Sequence, residues 1–200
     1  LRRTGRLMPR ICVFTGSSDG RRPSYRSAAM ELGATLAARR FGLVYGGARV
    51  GLMGIVADEV LRHGGEVIGV IPEALVAREV AHTGLGDLRV VRSMHERKAL
   101  MSDLADGFIA LPGGWGTLEE FFEVLTWGQL GLHRKPCGLL NVEGYFDSLL
   151  AFLQHAFDER FVRTEYAAML AVATSADTLL DRFAAFEPPQ VTKWIDRSSS

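Results

Sequence analysis

Short apolar runs that alternate with helix-length segments are the strongest constraint on how this chain folds. Six such runs occupy residues 10–15, 42–45, 66–71, 88–91, 107–111 and 137–141. Each is shorter than an ordinary helix and apolar along most of its length, the pattern of a strand covered on both faces. Helical segments lie between them at 23–40, 51–63, 93–104, 117–130 and 145–159. Pro23 marks the start of the first of these, and Gly64-Gly65 marks the end of the second. A short helical piece after Pro72, helical residues toward Phe186 and a further short strand near 171–173 complete the pattern. Strands and helices in this alternation predict an α/β fold, a central parallel sheet flanked by helices in three layers.

Length and composition narrow the possibilities. The chain has 200 residues, 48% hydrophobic and 23% charged, and its formal net charge is zero. That is the balance of a globular domain. Residues 10–187 are expected to form one domain, preceded by a disordered basic leader (1–9) without a secretory apolar core and followed by a tail (188–200). No run is apolar enough to span a bilayer, and zero net charge gives no general attraction for nucleic acid or a membrane surface. Cys12 and Cys137 fall within apolar runs and are expected to be buried thiols in a reducing, cytoplasmic compartment. The five histidines form no metal-ligand pair, so neither a metal nor a cofactor is expected.

In parallel sheets, ligands bind beyond the carboxyl ends of the strands. Three of those ends are rich in small residues: Thr15-Gly16-Ser17-Ser18, Tyr45-Gly46-Gly47-Ala48 and Pro112-Gly113-Gly114-Trp115-Gly116-Thr117. A glycine-rich bend that leads from a strand into a helix offers free N–H groups and the positive end of a helix dipole to an anion. No G-x-G-x-x-G and no G-x-x-x-x-G-K is present, so a dinucleotide site and an ATP-hydrolysing loop are not supported. The three ends together suit a nucleotide or sugar phosphate.

Two T/S-x-x-E runs, Thr117 to Glu120 and Ser93 to Glu96, read as capping boxes. Glu119, Glu120 and Glu123 nevertheless crowd one side of a helix, and like charges at that spacing destabilise it unless cations answer them. Arg97 and Lys98 in the preceding helix are the candidates. Leu118, Phe121, Phe122 and Leu125 are expected on one side of helix 117–130, with Val124, Trp127 and Leu130 on the other, covered by a second subunit.

Three motifs together carry a resemblance: Ser93-Met94-His95-Glu96-Arg97-Lys98, the P-G-G-x-G-T-x-x-E run at 112–120, and Tyr45-Gly46-Gly47 followed by Gly51-Leu52-Met53-Gly54. With Thr126-Trp127-Gly128-Gln129-Leu130-Gly131 and Gly138-Leu139-Leu140-Asn141-Val142, they resemble the LONELY GUY (LOG) family over roughly residues 11–161. These are cytokinin riboside 5'-monophosphate phosphoribohydrolases, long mislabelled as lysine decarboxylases. The resemblance implies a Rossmann-like fold, a homodimer with its active site near the interface, and no cofactor. It also implies hydrolysis of the N-glycosidic bond of N6-modified adenosine 5'-monophosphates, giving free base and ribose 5-phosphate and so activating cytokinin. The alternative is a broader nucleosidase acting on AMP.

By the same resemblance Arg97 and Glu120 form the catalytic pair. Ser17, Gly47, Glu79, Lys98, Gly113, Gly114, Gly116, Thr117 and Glu119 are implied to contact the nucleotide. Thr15, Ala48 and Trp115 depart from the family's usual Cys, Gly and Tyr, and the last two bear on base preference. A decarboxylase would need a Schiff-base lysine, for which Lys98, Lys135 and Lys193 are the three candidates.

Overall fold

The computed structural model describes residues 8–76 and 81–189. Most of the leader and of the tail expected from the sequence lies outside these residues. Its seven strands are β1 (Arg10–Phe14), β2 (Gly42–Tyr45), β3 (Val67–Pro72), β4 (Asp87–Val91), β5 (Gly107–Ala110), β6 (Cys137–Leu140) and β7 (Leu170–Ala173). They form one parallel sheet in the order β4-β3-β2-β1-β5-β6-β7. The apolar runs become strands because both sides of the sheet are covered: every residue of β2, β3, β5 and β6 is buried.

One face is covered by α1 (Pro23–Ala38), α2 (Gly51–Arg62) and α7 (Ala176–Ala184), through Leu32, Leu36, Val56, Val60, Leu180 and Phe183. The other is covered by α4 (Met94–Leu104), α5 (Trp115–Gln129) and α6 (Asp147–Asp158), through Met101, Leu104, Phe121 and Val124 with Leu149 and Leu150 half-buried. A four-residue α3 (Glu73–Val76) follows β3.

Strand order reverses between β1 and β5, which pair in register from Ile11 opposite Gly107 to Phe14 opposite Ala110. The chain leaves β1 for α1 on one face and leaves β5 for α5 on the other. The two exits therefore diverge and open a crevice at the carboxyl edge of the sheet.

Several local expectations are corrected. Helix α5 begins at Trp115, two residues before Thr117, because Gly114 takes the N-cap position with non-helical backbone (φ −98°, ψ −149°). Thr117 then lies inside the helix and caps nothing, so the expected Thr117–Glu120 box does not form. Phe121 and Val124 do not face opposite ways. Thr117, Phe121 and Val124 lie on one buried stripe, as their i, i+4, i+7 spacing requires, and Leu118, Leu125 and Trp127 pack beside them on the same core. Leu130 is exposed. Helix α6 starts at Asp147, after a 3-10 turn over Val142–Gly144. The Ser93 cap does form, with Ser93 Oγ accepting from Glu96 N at 3.1 Å.

Cys12 and Cys137 are free and buried, and both stand opposite Phe108, on β1 and β6 respectively. Two strand spacings separate them, roughly 9–10 Å, too far for a disulfide. Burial pushes the Cys137 thiol up to about 12 and the Cys12 thiol well above its ordinary value. Ellman's reagent at pH 8 is therefore expected to find no reactive thiol in the folded protein and two per chain in urea. A reactive thiol under native conditions would contradict this burial.

Candidate active site

The crevice between the β1 and β5 exits is closed by short backbone contacts. Gly16 N donates to Pro112 O at 3.2 Å, and Thr15 Oγ1 donates to the same carbonyl at 3.1 Å. Gly113 is wedged here: a Cβ on it would collide with Thr117 Oγ1 and lie 2.8 Å from Gly16 N. Gly114 and Gly116 differ, because a Cβ on either would meet nothing within 4 Å. No contact within the described chain demands glycine at these two positions, and both face open space. Ser17 is exposed, and its backbone packs on the start of α2, so closely that a Cβ on Gly51 would overlap it.

Helices that follow strands of a parallel sheet start at its carboxyl edge; three of them, α1, α2 and α5, follow β1, β2 and β5. None has a side-chain cap and none has an acidic residue in its first turn. By contrast α4 and α7 are capped by Ser93 and Ser175. In α5 the first intrahelical bond beyond the cap runs from Leu118 N to Gly114 O at 3.2 Å. The amides ahead of it find no partner in their own helix. The positive ends of these three dipoles are met by no capping or acidic side chain from their own first turn.

Arg97 lies at the back of this site and is 5% exposed. So buried a guanidinium needs acceptors. Its Nη2 donates to Gly46 O at 3.2 Å and lies 4.0 Å from Glu120 Oε1. Its Nη1 is 3.8 Å from Met94 Sδ. The buried Nε has no hydrogen-bond partner among the described residues. Gly46 makes the arrangement possible, because a Cβ there would occupy the position of Nη2. Gly47 is buried with φ at +75°, and its carbonyl accepts from His82 N at 3.0 Å. It belongs to the wall behind Arg97.

The acidic turn is answered as its charge demands. Lys98 Nζ lies 2.6 Å from Glu119 Oε1 and 3.1 Å from Glu123 Oε2, while Arg97 faces Glu120. Burial works against charge on Lys98, but the hydrogen bond it donates to Glu119 and its ion pair with Glu123 outweigh it and raise its pKa above the ordinary lysine value. Glu119 is half-exposed, whereas Glu120 is mostly buried. Glu79 lies outside the described residues. Sequence reasoning thus names Arg97, Lys98, Glu119, Glu120 and the glycine loop, which meet here. It misses Gly46 as an acceptor, Met94 beside the guanidinium, and Tyr145, whose hydroxyl donates to Gly113 O at 2.6 Å.

Known proteins resemble this chain over most of its length. A family model described as "Possible lysine decarboxylase" matches residues 53–183. The cytokinin riboside 5'-monophosphate phosphoribohydrolase LOG7 of Arabidopsis thaliana is 52% identical over 179 residues, 90% of this chain and 82% of that protein. LOG1 of the same plant is 50% identical over 90% of this chain and 84% of its own length. The chain belongs to the LONELY GUY family. Among solved structures, the molybdenum cofactor binding protein of Rippkaea orientalis has a TM-score of 0.68 at 22% identity, over 90% of this chain and 98% of that one. At that identity the likeness establishes a shared fold.

The lysines of this LOG-family chain do not fit the decarboxylase description of the model. A Schiff-base lysine needs a depressed pKa and a free amine. Lys98 is held charged by two carboxylates, and Lys135 Nζ donates to Ser102 O at 2.7 Å. Lys193 lies outside the described residues. Among those residues, no group of three or more His, Cys, Asp or Glu is arranged to hold a metal ion, and no helix is long and apolar enough to cross a membrane.

Replacing Lys98 by Met leaves Glu119 and Glu123 without their cation and is expected to cost about 1–2 kcal/mol of stability near pH 8. Because the folded state raises the Lys98 pKa, its contribution is complete below the unfolded value. It is lost as pH rises through the folded one. Urea denaturation of wild type and K98M should therefore show a constant gap between pH 7 and about 10 that narrows at higher pH.

Proposed function

We propose that this chain hydrolyses the N-glycosidic bond of N6-modified adenosine 5'-monophosphates, releasing the base and ribose 5-phosphate, as its relatives' names describe for them. The observation that carries this reading is the buried Arg97–Glu120 pair, 4.0 Å apart, beside the uncapped start of α5. The uncapped amides suit a 5'-phosphate, and the pair beside them suits the sugar carbon to which that phosphate is tethered. Phosphate binding would hold the remote reacting centre in place and spend binding energy on orientation.

In the reaction the bond between C1' and the base nitrogen breaks, and the base leaves with the electron pair. Water adds its oxygen to C1', and its released proton balances the charge on the departing base. Positive charge builds on the ribose in the transition state, as in other glycoside hydrolyses. Glu120 is read as the carboxylate that stabilises this charge and takes the proton from water. Arg97, fixed by Gly46 O, orients Glu120. Lys98 holds Glu119 and Glu123 back from the reacting centre, and Ser17, Thr117 and the amides of Gly114 and Gly116 surround the phosphate. Glu79 and Gly47 complete the proposed nucleotide contacts, Gly47 through the shape of its turn.

We also read the protein as a homodimer of the cytoplasm. Two buried free thiols suit a reducing compartment. Helix α6 buries no residue although it carries Leu149, Leu150, Phe152, Leu153 and Phe157. Leu132 is 71% exposed, Phe152 63% and Phe161 86%. A second copy would cover this apolar surface. A monomer in sedimentation velocity at all concentrations would remove this part of the reading.

The central test offers the purified protein N6-isopentenyl-AMP, AMP and N6-isopentenyladenosine and measures free base. The modified monophosphate is expected to be cleaved fastest and the nucleoside slowest. Glu120→Gln should lower kcat by about 10²–10⁴-fold while the nucleotide still binds. Turnover near the wild-type rate in E120Q would take Glu120 out of the chemistry.

A further inference from the structure

A peptide unit between two glycines is among the easiest to turn over, and at the β5 exit that unit joins Gly113 to Gly114. Neither residue has a Cβ, so both signs of φ are open to them at little cost. A turned peptide would present a carbonyl where an anion needs an N–H. Gly113 is already fixed in position, wedged between Thr117 and Gly16. Position alone does not fix the direction of its carbonyl.

One side chain reaches that carbonyl. Tyr145 Oη donates to Gly113 O at 2.6 Å, across 32 residues of sequence. The turn that carries Tyr145 is held from several directions. Buried Asn141, at the end of β6, accepts from Phe146 N at 2.8 Å through Oδ1 and donates to Asp147 Oδ1 at 2.7 Å through Nδ2. Glu143 and Gly144 adopt φ values of 48° and 72°, and the Glu143 carboxylate is paired with Arg22 at 2.9 Å. The Tyr145 ring meets Tyr25 edge-on at 5.5 Å and Phe146 at 5.0 Å. Core packing does not account for this arrangement, because Tyr145 itself remains 42% exposed.

In a trans peptide the carbonyl and the N–H point in opposite directions, and the described chain has no cis bond. With Gly113 O turned to Tyr145, Gly114 N–H is turned away from it. Gly114 stands at the uncapped start of α5 with open space where its Cβ would be.

We propose that Tyr145 is a positioning residue that locks the Gly113–Gly114 peptide with its N–H toward the 5'-phosphate and so sets the preference for monophosphates over nucleosides. This rests on reading the glycine loop as the phosphate seat. Tyr145 does not touch the reacting atoms. It acts through the backbone, before substrate arrives.

The test is Tyr145→Phe, which keeps the ring and its edge contacts and removes the hydroxyl. The KM for N6-isopentenyl-AMP should rise about tenfold, with kcat within about twofold, since phosphate binding is weakened and the chemistry is intact. The much slower cleavage of the nucleoside should be unchanged, so the preference for monophosphate falls by the same factor. Inorganic phosphate, used as a probe that needs no turnover, should raise the Tm of wild type and lose most of that effect on Y145F. The ligand-free Tm should stay within a few degrees.

Unchanged KM and an unchanged phosphate effect in Y145F would overturn the inference. So would a variant that loses ligand-free Tm and weakens monophosphate and nucleoside alike, because that is a merely structural role. A wild type that gains no Tm from phosphate would overturn it too. If wild type cleaves no nucleotide, yet phosphate stabilises it and not Y145F, the hydrolase reading falls and the role of Tyr145 stands.

Discussion

The pairing of β1 with β5 is the constraint on which the rest of this molecule depends. Two neighbouring parallel strands send their chains to opposite faces of the sheet, and the sheet cannot close the gap between those exits. What fills the gap must come from the exits themselves. Here they supply small residues, Gly16 and Ser17 on one side and Gly113, Gly114 and Gly116 on the other. Large side chains at these positions would have closed the crevice. The strand pairing makes an opening available, and the choice of residues keeps it open.

Charge then ties together two helices on one side of that opening, α4 and α5, which pack on the same face of the sheet. Three carboxylates along α5 would destabilise it alone, and α4 lies alongside with Lys98 and Arg97 in succession. The two cations divide the work. Lys98 satisfies the outer pair, Glu119 and Glu123, at 2.6 and 3.1 Å, while Arg97 turns inward to Glu120 at 4.0 Å. The looser inner contact is the one at the site. At 4.0 Å the Arg97–Glu120 contact is longer than a tight bidentate pair, whose N–O distances are about 2.7–2.9 Å.

Much of this is legible in the sequence, and the parts that are not share a physical cause. The strands can be read because a sheet covered on both faces needs apolar runs of strand length. Arg97 and Lys98 can be read because like charges on a helix require an answer from somewhere nearby. Thr117 reads wrongly as a cap, since T-x-x-E is a good capping pattern wherever it falls. The decision lies with Gly114, whose non-helical backbone at the N-cap starts the helix earlier. Val124 falls on the wrong side in a pattern-based reading because the helix carries apolar residues around much of its circumference, and the buried stripe is set by contact with the sheet. Gly46 and Tyr145 act through backbone carbonyls, which every residue possesses and no pattern of side chains reveals. Asn141, a polar residue ending a buried strand, is the nearest signal to the Tyr145 turn.

The absent side chain at Gly46 has a consequence for the cost of binding. An arginine free to sample its rotamers loses up to about 2 kcal/mol of conformational entropy when it is immobilised. In this molecule the Arg97 guanidinium fills the place where a Cβ would otherwise be and is buried there by the chain itself. Its freedom is surrendered when the chain folds, so a ligand meets a cation that is already still. The burden falls on the stability of the fold, which must also carry an Nε with no hydrogen-bond partner among the described residues, and the affinity of the site is relieved of it.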